Sequence, residues 1–215
     1  MSNDNDNDTT GWETPSRKND PRSRRQRRAP GPQQSPAAEN TNSNSNANDE
    51  SSAAKPFLIL LIGLPGSGKS TLALSLLEQA KNRNNKYVLV NQDTLGTRDK
   101  CIRAARAALQ ENKCPVVDRC NFNAKQRKWF VELAKKNDIH CKVHCIVLDV
   151  DPAECLRRCR QRRNHPTLPP SKAAQVIGFI KKDWRLPTAA EGMDQIWRVT
   201  NATQYQQVLD FYDCE

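Results

Sequence analysis

Three short stretches carry side chains whose types and spacing could move a phosphoryl group. The first is GLPGSGKST, residues 63–71, which fits G-x-x-x-x-G-K-[ST]. In that pattern the glycines let successive backbone N–H groups turn inward around phosphate oxygens. Gly63, Gly66, Ser67, Gly68, Lys69, Ser70 and Thr71 are therefore expected to hold ATP, with Lys69 reaching the β- and γ-phosphates and the Ser70 hydroxyl ligating Mg²⁺. The second is VLVNQDTLGTRDK, residues 88–100. Asp93 follows an apolar run, where a carboxylate can accept the proton of an attacking hydroxyl; capping of the helix that follows is the other reading. DTLG also fits the D-x-x-G of GTPases, but the chain contains no Asn-Lys-x-Asp to read guanine. The third is PVVDRCNFN, residues 115–123. Asp118 after three apolar residues suits a Mg²⁺-holding carboxylate, with Arg119 and Asn121 on the same rim. Capping of the next helix is the other reading for Asp118 and Asn121.

A fourth stretch supplies positive charge. In CLRRCRQRRNHPTLPP, residues 155–170, Arg158 and Arg162 are four apart, so on one helix both point the same way, ahead of a Pro-rich loop able to close over a nucleotide. Two guanidinium groups brought onto the phosphates would stabilise the charge of a loose transition state. Arg157, Arg160 and Arg163 face elsewhere, toward a nucleic-acid backbone or simply water.

These residues need elements that bring them together. Short apolar runs predict strands at 57–62, 87–90, 115–118, 143–149 and 195–199, and helical patterns lie between and after them at 69–82, 97–112, 124–137, 151–163, 172–183 and 203–212. Asn121 and Asn123 can cap the helix over 124–137, and DPAE places a proline in the first turn of the next. Alternation of this kind predicts an α/β fold: a parallel sheet of about five strands flanked by helices, as in adenylate-kinase-like P-loop NTPases. Ligands then bind at the carboxyl ends of the strands, where all three catalytic stretches lie.

The chain of 215 residues divides in composition. Residues 1–55 are dominated by Asn, Asp, Ser, Arg and Pro and are expected to be a disordered tail, with too little apolar surface to offset the entropy of ordering. They hold eight Lys/Arg and eight Asp/Glu, so the formal charge of +10 rests entirely on residues 56–215, the expected kinase domain. Such an excess suits a polyanionic partner, and suits solubility as well. The run RSRRQRR at 22–28 reads as a nuclear-import signal, a nucleic-acid contact or a solvated charge run. No signal-peptide pattern is present and FLILLI is too short to cross a bilayer, which predicts an intracellular protein, nuclear or cytoplasmic, with no membrane partner. Eight cysteines without a C-x-x-C pair favour reduced thiols. HCKVHC, residues 140–145, is a weak zinc pattern, and Cys155 and Cys159 suit packing.

GLPGSGKST, NQDTLG, DRCNFN, the RRCRQRR segment and LPTAAEGMDQIWRV, in this order and spacing, resemble the 5′-kinase domain of polynucleotide kinase/phosphatases. They are similar also to the P-loop kinase module of plant and fungal aprataxin-like proteins. The resemblance covers about residues 56–200. It implies ATP- and Mg²⁺-dependent phosphorylation of a 5′-hydroxyl end of DNA or RNA. It further implies phosphate-site roles for Lys69 and Ser70, a general-base role for Asp93, a lid role for Arg158 or Arg162, and acceptor-phosphate contacts for Arg98 and Arg119. Two other classes share the motifs. A small-molecule kinase of the gluconate or shikimate type uses the same loop and lid, and a non-catalytic binding module keeps the basic face alone. Trp129, Phe130 and Trp184 serve either packing or the stacking of single-stranded bases.

Overall fold

The strand FLILLIG, β1 (Phe57–Gly63), is buried along its whole length, as expected of a parallel strand covered on both faces. The computed structural model describes residues 55–81, 86–162 and 165–214. The tail through residue 54, including the basic run at 22–28, lies outside the described residues, as does Arg163.

β1 is the centre of a five-stranded sheet in the order β2-β3-β1-β4-β5, with β2 (Tyr87–Asn91), β3 (Cys114–Asp118), β4 (Lys142–Leu148) and β5 (Gln195–Val199). All four pairings are parallel. The helices are α1 (Lys69–Lys81), a four-residue α2 (Gln92–Leu95), α3 (Arg98–Gln110), α4 (Ala124–Ala134), α5 (Pro152–Gln161), α6 (Ala173–Lys182) and α7 (Ala202–Cys214).

Alternation along β1 divides the core into two layers. Leu58, Leu60 and Ile62 pack with Cys101, Ala105 and Leu109 of α3 and Phe130 and Leu133 of α4. Phe57, Ile59 and Leu61 pack with Leu72 and Leu76 of α1 and Val208, Leu209 and Tyr212 of α7. A third cluster joins Cys155 and Cys159 of α5 to Ala173, Ile177 and Ile180 of α6, with Leu64 and Phe122 from the loops above the sheet. It fastens the arginine-bearing helix beside the loop after β1.

The caps are local and specific. The Asn123 side chain accepts from Gln126 N and starts α4, Thr97 accepts from Lys100 N and starts α3, and Asp151 accepts from Ala153 N and Glu154 N at α5. Capping therefore falls to neither Asp93 nor Asp118, and Asn121 does not share it with Asn123.

Cysteines follow the packing reading. Cys145, fully buried in β4, has its pKa pushed up to about 12 by burial, and burial raises Cys141 and Cys155 to about 11. His144, between Cys141 and Cys145 in the HCKVHC stretch, stacks on Phe57 and bonds through Nδ1 to the Tyr212 hydroxyl at 3.1 Å. Among the described residues no three His, Cys, Asp or Glu side chains gather as metal ligands. Of the eight thiols, only Cys214 is exposed and Cys120 half-buried. A thiol reagent on the native protein is expected to modify these two quickly and the other six only after denaturant is added.

Candidate active site

The loop after β1 wraps a concave space at the carboxyl end of the sheet. Gly66 (φ +87°) and Gly68 (φ +102°) adopt backbone conformations that L side chains avoid. At Gly66 a Cβ would stand 2.4 Å from the Cys155 carbonyl oxygen and 3.0 Å from Cys159 Sγ, so α5 itself presses the loop into shape. Lys69, 7% exposed, donates from Nζ to the Gly63 and Leu64 carbonyls at 3.0 and 2.9 Å, which holds its ammonium across the mouth of the loop. Ser67 Oγ is buried without a partner. Thr71 lies outside this mouth, in a recess shared with Gly66, Gly68, Arg158 and Arg162. Gly66→Ala is expected to abolish nucleotide-dependent thermal stabilisation. For an intact site with ATP at a hundred times its Kd, that stabilisation amounts to about 2.7 kcal/mol. A melting series with and without ATP reads it.

β2 and β3 end side by side. Asn91 and Asp118 are register partners, and Asn91 Nδ2 donates to Asp118 Oδ2 at 2.8 Å. The same oxygen accepts from Ser70 Oγ at 2.6 Å. A hydroxyl and a carboxylate in contact are hard oxygen donors. That set fits Mg²⁺, which takes one or two protein ligands and completes its shell with water and phosphate oxygens.

Asp93 sits in α2, and with Lys69, Ser70 and Arg119 it lines a cavity of about 410 Å³. Its carboxylate is met by the segment after α5: the Thr167 hydroxyl donates to Oδ1 at 2.5 Å, and His165 Nε2 lies 3.7 Å from Oδ2. His165 Nδ1 accepts from the backbone N–H groups of Thr167 and Leu168 at 3.3 and 3.1 Å. The ring proton is thereby left on Nε2, toward Asp93.

The two lid arginines part company. α5 stops at Gln161, and Arg162 is already extended (φ −68°, ψ 129°), so the pair does not share a helical face. Arg162 turns into the cavity beside Lys69 and Asp93. Arg158 instead donates from Nε to Glu154 Oε1 at 2.7 Å, and Arg157 grips both oxygens of the same carboxylate. These hydrogen bonds hold the Glu154 pKa down at about 2. The stabilisation is present above the ordinary carboxylate pKa and is lost only as pH falls toward about 2, so between pH 5 and 9 the clamp does not titrate.

Arg119 has open donors in the cavity wall. Its Nε and Nη1 are buried without a hydrogen-bond partner, its guanidinium lies 5.7 Å from the Phe130 ring centroid, and it lines the cavity. Burial, with Arg98 nearby, pulls its pKa down. Arg98 does not line the cavity: it stacks on Trp129 at 4.5 Å and pairs with Asp99 at 3.2 Å. Asn121 is also no substrate contact here. Its side chain is fully buried at φ +45° and donates to the Leu61 carbonyl at 2.9 Å, pinning the loop after β3 onto β1. Of the aromatic candidates, Phe130 is in the core and Trp184 packs against it, while Phe122 and Phe179 line the cavity.

Arg127, which the sequence did not single out, holds this region together. Fully buried in α4, it binds both oxygens of Glu191 at 2.8 and 2.7 Å and the carbonyls of Asn121 and Arg185 at 3.1 and 2.9 Å. Glu191 belongs to the PTAAEG stretch. Its Oε1 also accepts from Thr188 N at 3.1 Å. In a helix with Lys125 and Lys128, nothing in the local sequence marks Arg127 out from a surface charge.

Comparison with known proteins gives a family and a fold. The family described as AAA domain matches residues 59–177, from β1 into α6. The protein called transcription factor bHLH140 of Arabidopsis thaliana is 29% identical over 167 residues, covering 76% of this chain and 18% of the relative. The bifunctional polynucleotide phosphatase/kinase of Schizosaccharomyces pombe is 33% identical over 144 residues, covering 66% of this chain and 33% of the relative. The chain thus spans a third or less of these curated relatives. Among solved structures, a fungal RNA kinase superposes with a TM-score of 0.54 at 13% identity, over 74% of this chain and 43% of that one. With the family model matching residues 59–177, the chain belongs to the AAA domain family, and its P-loop domain is similar in sequence to polynucleotide phosphatase/kinases.

Proposed function

We propose that this domain transfers the γ-phosphoryl group of ATP to the 5′-hydroxyl end of a DNA or RNA strand, with Mg²⁺. One observation carries the reading: Asp93 lines the same cavity as Lys69 and Ser70, beside the unpaired Nε and Nη1 of Arg119. A carboxylate there can take the proton of an incoming hydroxyl, and a guanidinium with open donors can take the phosphate that accompanies a nucleotide acceptor. The likeness to the S. pombe polynucleotide phosphatase/kinase supports a polynucleotide acceptor. The excess of positive charge on residues 56–215 suits a strand that brings several phosphates.

The backbone N–H groups of 66–70 and the Lys69 ammonium would hold the β- and γ-phosphates, once Lys69 exchanges the Gly63 and Leu64 carbonyls for phosphate oxygens. Arg162, turned into the cavity, would stabilise the charge spread over the transferring group. Mg²⁺, held by Ser70 and Asp118, would neutralise phosphate charge when bound. Asp93 accepts the hydroxyl proton as the new O–P bond forms.

ATP turnover with different acceptors tests the proposal. Turnover is expected to rise with 5′-hydroxyl oligonucleotides and to stay at its basal value with six-carbon sugar acids or shikimate. Stimulation by the small hydroxy acids alone would make the chain a metabolite kinase, and salt-dependent oligonucleotide binding with no stimulation would make it a binding module.

A further inference from the structure

We propose that Thr167 is a phosphate acceptor within the chain itself: when no external acceptor is present, the γ-phosphoryl group of ATP passes to the Thr167 hydroxyl. The inference rests on the kinase reading of the cavity and extends it to a modification site.

The geometry that points to it is the contact at Asp93. An acceptor hydroxyl must donate its proton to the base while facing the γ-phosphate, and Thr167 Oγ1 already donates to Asp93 Oδ1 at 2.5 Å from within the cavity lined by Lys69 and Ser70. Of the two hydroxyl side chains lining that cavity, Ser70 gives its proton to Asp118 and Thr167 to Asp93. The segment is fixed locally. His165 takes the backbone N–H groups of Thr167 and Leu168 on Nδ1 and turns Nε2 to the other oxygen of Asp93. Leu168 packs against the cluster formed by α5 and α6.

The step balances without a further reactant. Thr167 Oγ1 forms a bond to the γ-phosphorus, the bond from that phosphorus to the β–γ bridging oxygen breaks, ADP leaves with the electron pair, and the hydroxyl proton passes to Asp93 Oδ1. The product carries about −1.5 to −2 charge at neutral pH. Arg162 and the open donors of Arg119 line the same cavity and can receive it. Phosphothreonine at this place would repel a phosphate-bearing acceptor and cover Asp93, so the modified chain is expected to transfer poorly to any external hydroxyl. An acceptor already bound would displace Thr167 and protect it.

The test uses the full chain, first treated with phosphatase and then incubated with γ-labelled ATP and Mg²⁺ without oligonucleotide. Label is expected at Thr167 by peptide mass spectrometry, at a rate independent of protein concentration, and less of it as 5′-hydroxyl oligonucleotide is added. Thr167→Ser should retain the label, on the new hydroxyl, whereas Thr167→Val and Asp93→Asn should lose it. A preparation that phosphorylates the oligonucleotide but carries no phosphate on Thr167 overturns this proposal and leaves the kinase reading standing. A preparation that labels neither oligonucleotide nor chain overturns both, and label on any other residue overturns the assignment to Thr167.

Discussion

Asp93→Asn is expected to lower phosphoryl transfer to a 5′-hydroxyl acceptor by about 10²–10⁴-fold, the range for loss of a positioned general base. The amide keeps the size of the carboxylate and can still accept from the Thr167 hydroxyl that Asp93 now meets at 2.5 Å, so the segment after α5 should stay in place. What it loses is basicity. ATP binding depends on the loop after β1 and on Lys69, Ser70 and Asp118, none of which bonds to Asp93. The variant should therefore show a fall in kcat with a nearly unchanged KM for ATP, the signature of an interaction made only in the transition state. If kcat is retained and KM for ATP rises instead, Asp93 is a nucleotide contact and the base lies elsewhere.

Arg127→Met is expected to give the largest loss of stability of any single change outside the apolar core, about 3–5 kcal/mol, the cost of breaking a buried pair from one side. The Arg127 side chain has no exposure and that of Glu191 only 18%. Without the guanidinium, the carboxylate and the carbonyls of Asn121 and Arg185 lose their charged donor in a place with little access to water. For a domain of this size the midpoint of thermal unfolding should fall by roughly 6–20 °C. The double replacement Arg127→Met with Glu191→Leu should lose less than Arg127→Met alone, because no unpaired carboxylate remains. Equal losses would mean that Arg127 acts only through the backbone carbonyls. The pair also ties PTAAEG to the loop after β3, so a fall in stability should come with a fall in transfer.

Much of this scaffold was legible because its signals are short-range. Continuous apolar runs such as FLILLI and PVV have no other use in a chain this polar, and each strand lies within a residue of its expected ends. The strand order was not legible, because parallel alternation fixes the direction of the strands and leaves open which of them are neighbours. The four-residue α2 was missed because it spans barely one helical turn, too short for an apolar periodicity to repeat. Arg162 was placed on the helix by the run of polar residues around it, yet the helix ends one residue earlier, and this is what frees its side chain for the cavity. Asn121 looked like a rim residue because its neighbours Asp118 and Arg119 are; a positive φ turns it inward to Leu61 instead. The contacts of Arg127 with Glu191, and of Asp93 with Thr167, join residues more than sixty positions apart. Neither partner's local pattern encodes the other. Phe122 and Phe179, which line the cavity, are not distinguished in the sequence from Trp129, Phe130 and Trp184.

The most direct measurement places labelled γ-phosphate beside two forms of one oligonucleotide, as DNA and as RNA, one ending in a 5′-hydroxyl and the other in a 5′-phosphate. Wild-type protein with ATP and Mg²⁺ is expected to label only the 5′-hydroxyl form, at its 5′ end, and Lys69→Ala to label neither. Wild-type protein that binds ATP and both oligonucleotides yet leaves the 5′-hydroxyl unlabelled would contradict the assignment of this cavity to nucleic-acid end phosphorylation.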